Sequence, residues 1–197
     1  GGSDTSAAYL AAKLKADRCE IWTDVPGLYS ANPKLIPDAH LLLRMGYDEA
    51  QELASAGAKV LHPRCIAPLR ELNVPLQVRS TQEPEHPGTL IDRSGVDSRG
   101  QVRAISMKRG INLISMETVG MWQEVGFLAD AFAIFKRHGL SIDLISTSET
   151  NVTVSLDVAS NAVSTEELDA LVMNLNEICQ ARLIGPCASV SLVGRKI

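Results

Sequence analysis

The chain has 197 residues, 45% of them hydrophobic and 21% charged, which is enough for one large or two small domains with a real core. A net charge of −4, from 19 Lys and Arg against 23 Asp and Glu without long runs of either sign, argues against nucleic acid as the main partner. No stretch approaches the roughly 18 consecutive apolar residues of a membrane span, and the first residues lack the basic and apolar regions of a signal peptide, so the expected compartment is the cytoplasm.

In chain order, "GGSDTSAAYL" opens with Gly1 and Gly2, which permit turns and close approaches that a side chain blocks. Ser3 or Asp4 is then placed to cap a helix over 4–16, whose first amides could face an anion. "CEIWTDV" reads as a short buried strand, and "PGLYSANPKLIP" as a loop with three prolines. Asp48 can begin a helix through "EAQELASA" that Gly57 terminates, "HPRCIAPLREL" gives another ending at Asn73, and "VPLQVRS" returns as a strand. Helix and strand alternating at this spacing suggest an α/β layer, with too few strands for a sheet of usual size. Residues 82–100, rich in Pro, Gly and mixed charge, read as a linker.

A different pattern follows. "VRAISMKR" and "INLISME" read as two strands. A helix over 125–138 puts Phe127, Leu128, Ala131, Ile134, Phe135 and His138 on one face, and Gly139 closes it. "LSIDLIST" and the alternating "NVTVSLDV" are strands, Ser164 and Glu167 form a capping box opening the next helix, and "ARLIG" and "ASVSLVG" are the last strands. Strand, helix, strand, strand, helix, strand is the ferredoxin-like order. The turn at Gly126, Phe127 and Leu128 leaves amides able to hold a carboxylate, and Asp143 can hold an ammonium; together they suit a free amino acid.

Cys19, Cys65, Cys179 and Cys187 lack metal or disulfide spacing and read as buried reduced thiols. The four histidines give no metal pattern. Asn151-Val152-Thr153 matches a glycosylation triplet but falls in a strand, and it is set aside. Trp22 and Met45 read as core.

Taken together, "GGSDTSA", "IWTDVPGLYSANP", "YDEAQELASAGAKVLHP" and "GFLADAFAIFKRHGLSIDLISTSE" resemble aspartokinase, the last of them the ACT regulatory domain of its lysine-sensitive class. The resemblance implies part of an amino-acid-kinase-fold domain, three-layer α/β/α, over 1–91. A linker at 92–100 and an ACT region at 101–197 follow, the first βαββαβ domain complete and a second, to which "VRAISMKR" and "ASVSLVG" would belong, cut short. It also implies that the family's phosphate loop precedes Gly1, so that these 197 residues would be inactive alone.

By the same resemblance the intact protein transfers the γ-phosphate of ATP, with Mg²⁺ carried by the nucleotide, to the side-chain carboxylate of L-aspartate. Gly1, Gly2 and Ser3 would line the aspartate site, and Asp4 would organise the reacting groups. Thr23, Asp24, Tyr29, Lys34, Lys59 and Val60 would contact the nucleotide. The family commonly has arginine where Lys34 stands, so its charge is kept and the bidentate fork lost. His62, in "HP" before a helix, reads as a structural turn residue. Lysine would bind Met121, Glu124, Phe127, Leu128, Ser141, Ile142, Asp143, Ser148 and Glu149, with Phe127 and Leu128 core residues first and ligand contacts through their backbone. The resemblance implies homodimers paired through ACT domains, with ligand at the interface. Two other readings are a non-catalytic amino-acid-binding and dimerisation module, and a glutamate or uridylate kinase of the same fold, which the ACT half disfavours.

Overall fold

The computed structural model describes residues 2–95, 101–118, 125–157, 161, 163–195 and 197. They divide into two units, one of residues 1–107 with 190–197 and one of 108–189.

In the first unit, small residues let helix α1 (Gly2–Leu14) approach the core through Ala8 and Ala12, four residues apart on one face. Strand β1 (Cys19–Thr23) follows, then β2 (Arg44–Gly46), α2 (Tyr47–Ser55), a 3₁₀ turn (Pro63–Cys65), α3 (Ile66–Leu72), β3 (Leu76–Ser80) and β4 (Thr89–Asp92). Sheet order is β1-β3-β4-β2, with β1 parallel to β3, β2 parallel to β4 and β3 antiparallel to β4. Alternation sets the faces: Leu76, Val78 and Ser80 are buried, Gln77 and Arg79 partly exposed. Asn73 ends α3 in the left-handed conformation at φ 55°, and Gly57, at φ 114°, follows the end of α2.

Several expectations need correcting here. Ser3 and Asp4 do not cap α1 from outside; they lie in its first turn, where an acid still suits the helix dipole. Helix α2 starts at Tyr47, one residue before Asp48, because the Glu49 carboxylate folds back to accept the Gly46 N–H at 2.9 Å. Trp22 is not core. It is 43% exposed and lies on the outer face of β1 under the Arg79 guanidinium, 4.8 Å from its ring centre. The supposed linker contains β4, whose Ile91 is fully buried. Gly88, just before it, needs φ +73°, and a side chain there would strike the Val78 carbonyl.

In the second unit the order is β5 (Gln101–Glu117), α4 (Phe127–Arg137), β6 (Leu144–Thr147), β7 (Asn151–Asp157), α5 (Thr165–Leu175) and β8 (Gln180–Arg195), in a sheet ordered β6-β7-β5-β8. That is the ferredoxin-like βαββαβ arrangement. Ile114 and Met116 of β5 pair with Val154 and Val152 of β7, and all four pack under Phe127, Ala131 and Phe135 of α4 and Leu168 and Leu171 of α5. Leu128 departs from the expected apolar face at 42% exposed.

The four short strands expected at the two ends of this region are two long ones. β5 runs unbroken through Gly110, and β8 through Gly185-Pro186. Both belong to the two units in succession, so the division falls between Met107 and Lys108 and between Ser189 and Val190 rather than near residue 100. The residues decide this physically: Ala104 and Val193, each 1% exposed, lie in the first unit's core, and the Ser106 hydroxyl donates to the Ala56 carbonyl at 2.9 Å.

Candidate functional site

In the first unit the candidate residues lie on α1, at the end of β1, on the loop beyond it and on the segment after α2. Gly2, Ser3 and Asp4 lie in the first turn of α1, and Thr23 and Asp24 stand where the chain leaves β1. Ligands in α/β sheets bind beyond the carboxyl ends of strands. Asp4 is tied down by two bonds: the Ser3 hydroxyl donates to Oδ1 at 3.2 Å and the His62 N–H to Oδ2 at 3.3 Å. His62 in turn caps the 3₁₀ turn, its Nδ1 accepting the Arg64 N–H at 3.2 Å. It is therefore a turn residue, as its place before Pro63 suggests, and it brings the segment carrying Lys59 and Val60 beside the first turn of α1. The Asp4–His62 contact had no sequence signal, since 58 residues separate the partners.

Burial pushes the Cys65 thiol up to about 12, with the negative charge of Asp4 and the nearby Cys19 adding to it. Cys19 and Cys65 are buried as expected, whereas Cys179 and Cys187 are partly exposed. Around the strand end, the Thr23 hydroxyl donates to Asp24 at 3.1 Å, and Thr81 holds the Thr23 carbonyl through its N–H at 2.8 Å. Tyr29 forms an isolated bridge with Leu41, and the Lys34 N–H donates to the Asn32 side chain at 3.0 Å in an exposed loop. Lys59 is exposed and Val60 partly buried against the core. Gly2 has open space where a side chain would stand, so nothing in the fold requires glycine there. Gly1 lies outside the described residues.

The second unit separates its candidates into two groups. Gly126, at φ +98°, precedes α4, whose first residue Phe127 is buried at 4% exposure. Ser148 and Glu149 form the β6–β7 turn, with the Ser148 N–H donating to the Asn151 carbonyl at 2.8 Å. Ser141, Ile142 and Asp143 come after the other end of α4: the Ser141 N–H donates to Asn161 Oδ1 at 2.7 Å and the Asp143 N–H to the Ser155 carbonyl at 3.0 Å. The 11 residues of α4, about 16 Å of helix, lie between Gly126 and the segment that carries Ser141, Ile142 and Asp143. Met121 and Glu124 lie outside the described residues.

Sequence reading also missed the partner of Asp143. Lys108 Nζ stands 2.7 Å from Asp157 Oδ2 and 3.6 Å from Asp143 Oδ2. Burial pulls its ammonium down, but the two carboxylates outweigh burial and hold it above the usual lysine range. The strand parity of Asp157, opposite Ile111 on the sheet face away from the helices, was the available signal.

Among the described residues no three His, Cys, Asp or Glu side chains converge to hold a metal ion, and no helix is long and apolar enough to cross a membrane.

Residues 1–80 match the amino acid kinase family. Over its whole length the chain is 36% identical to lysine-sensitive aspartokinase 3 of Escherichia coli K12, of which it spans 44%. Among solved structures, E. coli aspartokinase III in complex with aspartate and ADP superposes at a TM-score of 0.86, with 36% identity over 98% of this chain and 43% of that one. The same enzyme in complex with lysine and aspartate superposes at 0.81, with 37% identity and the same coverage. The chain thus spans less than half the length of these relatives. Its first 80 residues carry the amino acid kinase pattern, and from end to end the chain is aspartokinase-like in sequence and fold.

Proposed function

We propose that the protein containing this chain is an aspartate kinase that phosphorylates the side-chain carboxylate of L-aspartate with ATP and is inhibited by lysine at an ACT-type domain formed by the second unit. The observation that carries the catalytic half is the Asp4–His62 bond, which joins the first turn of α1 to the segment that carries Lys59; the end of β1 completes the proposed site. Phosphoryl transfer asks a protein mainly for positioning and for compensation of charge. Bound ATP with its Mg²⁺ supplies the phosphoryl group. The Lys59 ammonium neutralises phosphate charge, Thr23 and Asp24 hold the nucleoside side with Tyr29 and Lys34 on the loop beyond, and the Gly2–Ser3 turn with Asp4 orients the aspartate.

Trapping the acyl phosphate as its hydroxamate tests this in the full-length protein. Lys59→Met is expected to lower kcat about a hundredfold, in line with loss of one group that stabilises developing charge. A folded Lys59→Met protein within threefold of wild type overturns the assignment.

For the regulatory half, α4 keeps the carboxylate cradle and Asp143 apart in one chain, and a two-fold pair restores them. Two copies joined antiparallel through β6 place the Asp143 end of one beside the Gly126 and Ser148 end of the other. Strand β6 is a sheet edge with Leu144 63% and Ile145 52% exposed, which suits such pairing. Calorimetry with lysine and threonine separates the effectors: a lysine signal that Asp143→Ala abolishes supports the site, and equal binding to that variant removes it.

A further inference from the structure

We propose that Lys108 is a tethered competitor for the effector: its own ammonium occupies the acid pair Asp143–Asp157, and an incoming diamino acid must displace it from Asp143 in order to bind. The inference rests on the effector reading above.

The two legs of the contact differ. Asp157 is 4% exposed and closes at 2.7 Å, so it is the anchor. Asp143 is a third exposed at its side chain and stands at 3.6 Å, beyond hydrogen-bond length, so it is the leg that can be exchanged. The strands place all three residues. Lys108 lies on β5, Asp157 ends β7 opposite Ile111, and the Asp143 N–H is bonded to Ser155 of β7. Retreat of the lysine stem from Asp143 leaves the Asp157 pair intact, so displacement strands no buried charge.

A lysine side chain in that place carries the same head group as the proposed effector. A site already satisfied by an ammonium binds another only for the fraction of time that its carboxylate is released, which weakens apparent affinity by that fraction. Lys108 therefore sets the effector concentration at which the site fills.

The test is lysine calorimetry on the full-length protein with Lys108→Met, Lys108→Arg and Asp143→Ala. The expected result is lysine binding at least about fivefold tighter in Lys108→Met, near wild type in Lys108→Arg and lost in Asp143→Ala. If wild type binds and Asp143→Ala does not, while Lys108→Met binds equally or more weakly, the competitor role is overturned and the effector site survives. If neither wild type nor a folded Lys108→Met binds lysine, the effector reading fails and this one with it. Should Lys108→Met not fold, wild type decides: saturating lysine is expected to raise the acetylation rate of Lys108 against a glycine control of equal amine concentration, and an unchanged or slower rate overturns the proposal.

Discussion

Glu49 is 3% exposed, and its carboxylate is met by the Arg103 guanidinium at 3.3 Å and by the Gly46 N–H. Arg103 also donates to the Arg44 carbonyl at 2.7 Å. Removing the arginine leaves a buried charge with one amide for company, so Arg103→Ala is expected to cost about 3 kcal/mol in denaturant unfolding. Asp92 gives a pH dependence. Burial raises its proton affinity, but the Arg44 ion pair, the Ser94 hydroxyl and the Gly95 N–H outweigh burial and hold the carboxyl below its ordinary value. A lowered folded-state value means that the stabilisation is complete above about pH 4 and fades as pH falls below it. Unfolding midpoints between pH 6 and 2 should therefore drop more steeply for wild type than for Asp92→Asn. Neither group was legible in the sequence as part of a network: Glu49 carried no signal of its own, and Asp92 sat in an apparent linker.

At the scale of elements, local signals were read well wherever the chain's own chemistry closes the element. The Ser164–Glu167 capping box forms as expected, with Ser164 Oγ accepting the Glu167 N–H at 3.3 Å and the Ser164 N–H donating to Glu167 at 2.8 Å. Ser164→Ala should cost about 1 kcal/mol by thermal unfolding, and Ser164→Asp nearly nothing, because an aspartate accepts the same bond. Strand β7 was legible because Val152, Val154 and Leu156 alternate with polar residues. β2 and β4 were not. Each is too short for alternation to register: β2 forms by pairing in parallel with β4, Arg44 to Leu90 through Gly46 to Asp92, and β4 is held between β2 and β3. In β5 and β8 the glycines resembled breaks. Gly110 takes φ +75° without ending its strand, a conformation open to glycine at no steric cost.

For the whole molecule, the two-fold pairing proposed above makes a direct claim about mass. Ile145→Lys puts a charge on the exposed edge of β6 and should convert a dimer to a monomer by light scattering at unchanged helix content; a dimer of unchanged affinity rules out pairing through that edge. The sequence by itself determined the helices and the strands β1 and β3 of residues 1–80, the βαββαβ order that follows, the caps at Asn73, Gly139 and Ser164, and the turn role of His62. All of these are written within a few neighbouring residues, where backbone geometry and hydrogen-bond reach are local. Only the tertiary structure decided that Asp4 meets His62, that Lys108 sits between Asp143 and Asp157, that the Asp143 end of α4 is remote from Gly126, and that the unit boundary runs inside two strands. Those facts depend on which distant segments share a core, and a contact across 58 residues leaves no periodic trace in a single chain.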